Sequence, residues 1–435
     1  MKKTSSAFFL AAIFMMTAGD LLWRPFGAQH EIVLLKILSW SQLYLVLFMM
    51  SFLFFAARGG VQWPIGKSAR ALFFPVFLLT VCFLFSVLLS LDRKMSVETS
   101  AYYLSILFTA GMLSFMLDDP DLLESAWTAC TLGILYLSFK VILWRLNEGL
   151  GAGAFLVNNN AWVGKLQIAW VLNFFAPFLF ARFLLKDGWK SALAGLAWAE
   201  TGTAIFILFS RAGTLMFILS TAALCVLQMK QWKKWAPLAA AMLVGIVLAA
   251  AASPKMSRYV VRSSAQFFVD GGVERRMKIW EDTLKMVRAH PLTGTGLGTY
   301  DEVAFSQYSA PYGHWTDAQF RRRGWHAHNV HLHILAETGI IGFLAWVYFL
   351  FSLIAFGIRK WRENRTPGSR VLAESFLLTL GCFLALSMTE SLIAARVHQS
   401  FRMNLTLALL VILTLSSIRA EEKSGRKMPK MVELP

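Results

Sequence analysis

The sequence predicts an all-α membrane protein with about twelve transmembrane helices, and three observations carry this prediction. Hydrophobic residues make up 57% of the 435 residues, while charged residues make up only 15%. Apolar runs close to 20 residues long recur along the chain, and about 20 residues are needed for a helix to cross roughly 30 Å of hydrocarbon. Because backbone polar groups inside a bilayer must be paired within the segment, each run is expected to be a helix.

The apolar windows also give the positions of the spans. The opening MKKTSSAFFLAAIFMM has the basic start and apolar core of a secretory signal, but no clean small-x-small cleavage site follows before Asp20, so we interpret it as the first span. The twelve predicted spans cover residues 7–23, 32–57, 71–91, 98–117, 122–144, 166–185, 191–209, 213–229, 235–252, 330–357, 371–392 and 403–418.

Basic residues of the short connections lie mostly on the side of the amino terminus, which predicts that both termini face the cytoplasm. The predicted organisation is spans one to nine in residues 1–252, an external loop in 253–329, spans ten to twelve in 330–418, and a cytoplasmic tail in 419–435. The polar end EEKSGRKMPKMVELP is expected to be disordered. In a Gram-negative-like cell the external loop would lie in the periplasm.

The external loop is basic, with eleven Lys and Arg residues against seven carboxylates. Long loops are exempt from the positive-inside rule, so the positive charge of this loop needs another explanation. It suggests an anionic partner. Within it, residues 272–289 are predicted to form an amphipathic helix that lies on the membrane surface or caps the bundle. The apolar face of this helix is predicted to comprise Val273, Met277, Trp280, Leu284 and Val287.

A glycine-rich stretch, LTGTGLGTY, follows that helix and Pro291. Gly294, Gly296 and Gly298 allow a tight path with exposed N–H groups, which can hold a phosphate. The stretch follows no predicted strand and lacks the lysine of a P-loop, so a plain turn is favoured over a nucleotide site.

Residues 321–342, RRRGWHAHNVHLHILAETGIIG, hold the densest cluster of titratable groups, at the start of the tenth span. Metal binding is not favoured, because His331 and His333 diverge on a helix and only Glu337 lies one turn beyond His333. General-base chemistry needs a single histidine, and His328 is the candidate. The other three histidines are expected to be interfacial residues at a helix end: His326, His331 and His333.

The same stretch resembles the signature of the bacterial O-antigen ligase and polymerase superfamily: His328-Asn329, nine residues, Gly339, two residues, Gly342. Three further stretches agree in character and order, so that the resemblance covers residues 158 to 342. They are NNNAW (Asn158 to Trp162), SRAG (Ser210 to Gly213), and RMKIW (Arg276 to Trp280) with HPLTGTGLG after it.

This resemblance implies the GT-C-like helical architecture of membrane glycosyltransferases. It further implies an O-antigen ligase, which moves polysaccharide from undecaprenyl pyrophosphate onto a lipid A-core oligosaccharide at the outer, periplasmic face of the inner membrane. Neither a metal nor another cofactor is implied, and the expected partners are the lipid-linked donor, the lipid A-core acceptor and membrane lipids, with no nucleic acid.

The resemblance also implies residue roles. His328 would take the proton of the acceptor hydroxyl, and a single displacement would invert the anomeric carbon. Arg211 and Arg276 lie in the matching stretches and would stabilise the pyrophosphate, with Arg288 as a further candidate. Asn329 would position His328 or a sugar.

Simpler structural roles remain open for several of these positions. Arg211 as an interfacial anchor and Arg276 as a solvated charge are the alternatives to phosphate contact, while Gly339 and Gly342 are expected to serve helix packing. The run Arg321, Arg322 and Arg323 is expected to meet phosphates of the acceptor core or anionic headgroups.

Three other functions remain as alternatives. An O-antigen polymerase would share the motif and differ in acceptor, and a protein-glycosylating relative would be expected to carry a larger carboxyl-terminal portion. A transporter or flippase would explain the spans without chemistry. The sequence shows no internal repeat, and few ionisable residues lie within the predicted spans, chiefly Lys36, Lys140 and Glu390. Both observations favour an interfacial enzyme over a transporter.

Overall fold

The computed structural model describes residues 2–18, 47–53, 72–149, 165–208, 210–252, 272–308, 326–363, 366–391 and 397–427. Every regular element within these ranges is helical. The elements are α1 (Lys2–Ala18), α2 (Phe73–Leu88), α3 (Arg93–Met116), α4 (Pro120–Gly149), α5 (Lys165–Leu185), α6 (Gly188–Ile207), α7 (Arg211–Leu227), a 3-10 turn (Met229–Gln231), α8 (Trp232–Ala252), α9 (Gly272–Ala289), α10 (Tyr300–Val303), a π-helical turn (Ala304–Tyr308), α11 (Val330–Glu363), α12 (Pro367–Ser387) and α13 (Val397–Lys427). Residues 47–53 are helical as well.

A helix lies at each predicted span, except that only 47–53 of the second span falls in the described residues. Within the described ranges, six helices are long and apolar enough to cross a membrane: Arg93–Met116, Pro120–Leu143, Gln167–Leu185, Val330–Glu363, Pro367–Ser387 and Met403–Lys423. Two more apolar helices are shorter, and α7 and α8 form a pair bent by 84°. The part of the chain that the structure describes is therefore all-helical, as in a multi-pass membrane protein, and the number twelve stays a prediction.

Helix α5 forms the centre of the bundle. Its aromatic side chains are almost fully buried, with Trp170 at 1% exposure and Phe174, Phe175 and Phe178 at 0%. It packs against α6, α7 and α12. Between helices in lipid, polar side chains that reach a neighbouring backbone add to packing. Two such bonds join α12 to α5, from Ser375 Oγ to the Pro177 carbonyl at 3.0 Å and from Thr379 Oγ1 to the Phe174 carbonyl at 3.1 Å.

Helices α7 and α12 run antiparallel. The end of α7 meets the start of α12, where Gln228 Nε2 donates to Glu374 Oε2 at 2.6 Å. Further along, Cys382 Sγ of α12 lies 3.8 Å from the Met216 carbonyl of α7. The first turn of α7 therefore lies at the same end of the bundle as the last turn of α12.

Helix α11 is broken at Gly339, and the glycine-rich turn after α9 fits into the break. Gly339 has φ 62° and ψ −168°, a conformation that favours glycine. The N–H groups of Thr295 and Gly296 donate to the carbonyls of Ala336 and Glu337, at 3.0 and 2.8 Å. These N–H groups of the turn thus bond to helix carbonyls that the break leaves without a partner in the helix. The prediction of a plain turn is confirmed.

The fit leaves no room for a side chain on either backbone. A Cβ at Gly339 would lie 2.3 Å from the backbone C of Leu292, and one at Gly294 would lie 2.3 Å from that of Glu337. Gly339 thus allows a loop to approach, rather than a second helix as expected. Gly342 is buried, and a Cβ there would first meet the Thr338 side chain of the same helix, so its expected role in helix–helix packing stays a prediction.

Helix α9 spans the predicted residues 272–289, and the face that it buries in the protein differs in part from the predicted apolar face. Met277 and Leu284 are 55% and 40% exposed, while Ile279 and Met286 are buried. The buried face includes the polar Thr283, whose hydroxyl lies 2.7 Å from the Ile279 carbonyl and 2.6 Å from the Tyr300 hydroxyl. Counting apolar residues alone missed this face because part of it is polar and hydrogen-bonded.

Helix α13 continues to Lys427, so the prediction of a disordered tail is wrong for residues 421–427. An ion pair supports this extension, with Lys360 Nζ of α11 2.9 Å from Glu422 Oε1 and 2.9 Å from Glu363 Oε2.

Candidate active site

Three distant segments meet at a single carboxylate, Glu390. This residue follows the end of α12 and is 3% exposed. Its Oε2 lies 3.0 Å from His328 Nδ1, and its Oε1 lies 3.2 Å from Arg276 Nη2. The carboxylate therefore joins the segment before α11 to helix α9, and it brings together two of the residues that the sequence predicted.

His328 has an unusual backbone conformation. Its φ of 49° is the only positive value at a non-glycine residue in the described ranges. Such conformations cost free energy and persist where the surroundings fix them, often at functional sites. Here the backbone N–H of His328 donates to His326 Nδ1 at 3.3 Å, and that of Asn329 donates to Ser391 Oγ at 2.9 Å.

Asn329 acts as the N-cap of α11. Its side chain is buried, and Oδ1 accepts hydrogen bonds from the N–H groups of His331 and Leu332, at 2.9 and 3.1 Å. A side-chain oxygen at this position satisfies N–H groups that have no partner within the helix. Of the two roles expected for Asn329, this geometry favours positioning His328 over contacting a sugar.

The contact with Glu390 fixes the orientation of the His328 ring. A carboxylate accepts hydrogen bonds, so the neutral ring carries its proton on Nδ1 and leaves the lone pair of Nε2 free. The side chain of His328 is 30% exposed, whereas that of Glu390 is 4% exposed. The arrangement is that of a general base oriented by a buried carboxylate.

Arg276 lies beside this pair in the second turn of α9, with 37% of its side chain exposed. Trp280, one turn further on, donates from Nε1 to the Ala327 carbonyl at 2.9 Å and so joins α9 to the segment that carries His328. Arg276 is therefore held at the site by its helix, and its guanidinium has five N–H donors for contacts with oxygen atoms.

Arg211 is the first residue of α7, after the N-cap Ser210, whose Oγ accepts from the Gly213 N–H at 3.3 Å. Asn173 Nδ2 of α5 donates to the Gly213 carbonyl at 3.1 Å, which fixes this turn against the central helix. Arg211 is partly buried, and the antiparallel packing of α7 on α12 places it at the end of the bundle that holds Glu390.

Among the other predicted basic residues, Arg288 is described by the structure and is not brought to this cluster. Arg288 is exposed in the last turn of α9, twelve residues beyond Arg276, which corresponds to roughly 18 Å along a helix. Arg321, Arg322 and Arg323 lie outside the described residues, as does the stretch from Asn158 to Trp162.

The histidines beyond His328 do not behave as simple interfacial residues. His333 is 2% exposed, with Nε2 3.3 Å from Glu337 Oε1 and its ring stacked on Tyr300 at 4.3 Å between centroids. His331 Nε2 lies 3.1 Å from Ser387 Oγ, and Trp346 Nε1 donates to His331 Nδ1 at 3.2 Å. The expectation that these residues reach towards the interface is wrong for His333, because it is buried in a polar network.

His326 lies against His328, with 4.0 Å between the ring centroids. Burial lowers the pKa of His326 well below its usual value, and the nearby His328, His333 and Arg276 lower it further. One ligand atom from each of His326, His328 and Glu390 lies within 4.8 Å of the others. The sequence did not foresee this group, because its third member is 62 residues from His328.

Glu390 is the functional candidate that the sequence alone did not identify. The available signal is a carboxylate at the end of an apolar run, and ionisable residues in such places often mark functional sites. Nothing in the spacing of residues connects Glu390 to His328 or Arg276, since only the packing of α9, α11 and α12 brings them together.

Residues 196–347 match the family model described as O-antigen ligase. The matched segment runs from α6 into α11, so it contains Arg211, Arg276 and His328 and ends before Glu390. A search of curated proteins finds no match to the chain.

Proposed function

We propose that the protein is an O-antigen ligase, and the match of residues 196–347 to the family model of that description supports this proposal. In this proposal it moves polysaccharide from undecaprenyl pyrophosphate to a hydroxyl of a lipid A-core oligosaccharide. The reaction takes place at the periplasmic face of the inner membrane, where residues 253–329 form the external loop, and it uses no metal ion.

The observation that carries this proposal is the contact of Glu390 with both His328 and Arg276. Transfer to a hydroxyl needs a base for the acceptor and a cation for the leaving group, and one carboxylate holds both in place. A transporter would not require a histidine with a fixed tautomer beside a partly exposed arginine.

The reaction follows from the free lone pair on His328. Nε2 takes the proton of the acceptor hydroxyl while that oxygen bonds to the anomeric carbon of the donor sugar. The bond from the anomeric carbon to the phosphate oxygen breaks, and undecaprenyl pyrophosphate leaves with the electron pair. This single displacement inverts the anomeric carbon, and Glu390 stabilises the imidazolium that forms until its proton passes to water.

The pyrophosphate gains negative charge as it leaves, and fixed cations stabilise that charge as it develops. Arg276 and Arg211 supply them in this proposal, because guanidinium groups are permanently charged and contact phosphate oxygens in pairs. Arg276 uses Nη2 for Glu390 and has further N–H groups for the donor. The run Arg321, Arg322 and Arg323 would contact phosphates of the acceptor core or of lipid headgroups, and the exposed Arg288 is given no part in the reaction.

The test uses purified protein, a polysaccharide on undecaprenyl pyrophosphate, and either rough lipopolysaccharide or a second lipid-linked glycan as acceptor, all in EDTA. The proposal predicts transfer to lipopolysaccharide with an inverted linkage. Lengthening of the lipid-linked glycan instead would make the protein a polymerase. Loss of transfer in EDTA, with recovery on addition of a metal ion, would contradict the metal-free mechanism.

A further inference from the structure

We propose that His326, His328 and Glu390 bind a transition-metal ion such as Zn²⁺ and that this ion switches the active site off. The binding follows from the ligand geometry alone. The inhibition rests on the proposed function, since it requires His328 to be the base.

The candidate ligand atoms of His326, His328 and Glu390 are already close together. The three candidate ligand atoms lie within 4.8 Å of one another. Zinc bonds of about 2.0–2.2 Å in a tetrahedral site bring ligand atoms to roughly 3.3–3.6 Å from each other, so the group must contract by little more than 1 Å. His326 and His328 precede the first residue of α11, so side-chain rotation can achieve this without changing a helix.

The three side chains are also of the types that bind Zn²⁺. Two imidazoles and a carboxylate are a ligand set that suits Zn²⁺ and leaves a fourth position for water. Each imidazole binds a metal through a ring nitrogen lone pair, so the site offers two nitrogen ligands beside the carboxylate. Arg276 can stay on Oε1 while Oε2 binds the ion, because carboxylates that ligate metals commonly keep such partners.

Metal binding would also change which nitrogen of His328 carries the ring proton. A neutral imidazole has one N–H group and one lone pair. When the metal takes the lone pair at Nδ1, the ring proton moves to Nε2, which can no longer accept the proton of an acceptor hydroxyl. The metal also replaces the hydrogen bond between His328 and Glu390. Binding at this site therefore removes the base by changing its tautomer, and chelation of the ion restores it.

The experiment measures metal binding and transfer separately. Zn²⁺ alone is titrated into chelator-treated, full-length protein by competition with a chromophoric indicator, and Co²⁺ is used as a second probe through its visible absorption. The variants are His326→Ala, His326→Gln and the control His290→Ala. His290 lies just beyond α9, at the end of that helix far from Arg276. Transfer by each protein is measured with and without Zn²⁺.

We expect one Zn²⁺ per chain in the wild type and in His290→Ala, and affinity at least about 100-fold weaker in both His326 variants. Zn²⁺ should inhibit wild-type transfer and EDTA should reverse this, while the His326 variants, each compared with its own rate without Zn²⁺, should need about 100-fold more Zn²⁺ for half-inhibition. Binding that ignores His326 would overturn the site, and binding without inhibition would overturn the switch. Binding that depends on His326 in a protein that transfers no glycan would leave the site standing and contradict only the proposed function.

Discussion

Replacement of Glu390 by glutamine tests the contact that organises the active site. The substitution keeps the shape and burial of the side chain and removes its charge. The glutamine oxygen can still accept a hydrogen bond from His328 Nδ1, so the position of the ring is expected to change little. The variant then lacks the negative charge that stabilises His328 as it becomes protonated.

The size of the effect follows from the observed distances. Oε2 lies 3.0 Å from Nδ1, so the centres of charge are about 4 Å apart, where two unit charges interact by about 4 kcal/mol at an effective dielectric constant of 20. If about half of the proton charge resides on the ring in the transition state, the loss is about 2 kcal/mol, or roughly 30-fold in kcat. An amide that instead presents its NH₂ group to Nδ1 would reverse the tautomer and lower the rate further.

The matched control is Glu374→Gln. Glu374 lies on α12 and is also 3% exposed, but its carboxylate bonds to Arg370 and Gln228 at the opposite end of the helix. The assay is single-turnover transfer by purified variants with matched melting curves. We expect a loss of roughly 30-fold or more for Glu390→Gln and a rate near that of the wild type for Glu374→Gln. Equal rates in the two variants would refute a role for Glu390 in orienting or stabilising His328.

Two further predictions concern the helix break and the arginines. Gly339→Ala should destabilise the protein by about 2–4 kcal/mol, through an unfavourable φ and overlap with Leu292, and so lower its melting temperature. The control Gly111→Ala should keep the wild-type melting temperature, because a Cβ at Gly111 meets nothing within 4 Å. Equal melting curves for the two variants would contradict the tight contact at Gly339. Arg276→Lys should lower kcat by about 10- to 100-fold, because a charge-assisted hydrogen bond worth about 1.5–3 kcal/mol depends on the guanidinium. Arg288→Lys should transfer at the wild-type rate, and similar losses in both variants would count against a specific role for Arg276.

The sequence predicted the helical membrane fold because long apolar segments leave the backbone few alternatives in a bilayer. It also predicted helix 272–289 and the plain glycine-rich turn. It did not predict that the turn fits into a break at Gly339, because that contact is made by backbone atoms of two segments distant in the chain. The face that α9 buries in the protein was not predicted for a related reason, since Thr283 is buried through hydrogen bonds that depend on tertiary structure.

The candidate site was predicted unevenly. A short motif marked His328 and Asn329, and RMKIW marked Arg276, so these residues stood out locally. Glu390 did not, because the end of α12 reaches His328 only through the packing of α11 on α12. The buried pair His333 and Glu337 was recognised as one helical turn apart, but its contact with Tyr300 depends on where α10 folds.

The most direct test of the account compares two histidine substitutions, His328→Ala and His290→Ala, in a transfer assay with lipid-linked glycan and lipopolysaccharide in EDTA. Loss of a general base lowers the rate by about 10²- to 10⁴-fold. We expect that loss for His328→Ala alone, with both proteins folded and still able to bind the donor. A His328→Ala protein that transfers glycan at the wild-type rate would contradict the central claim that His328 is the base.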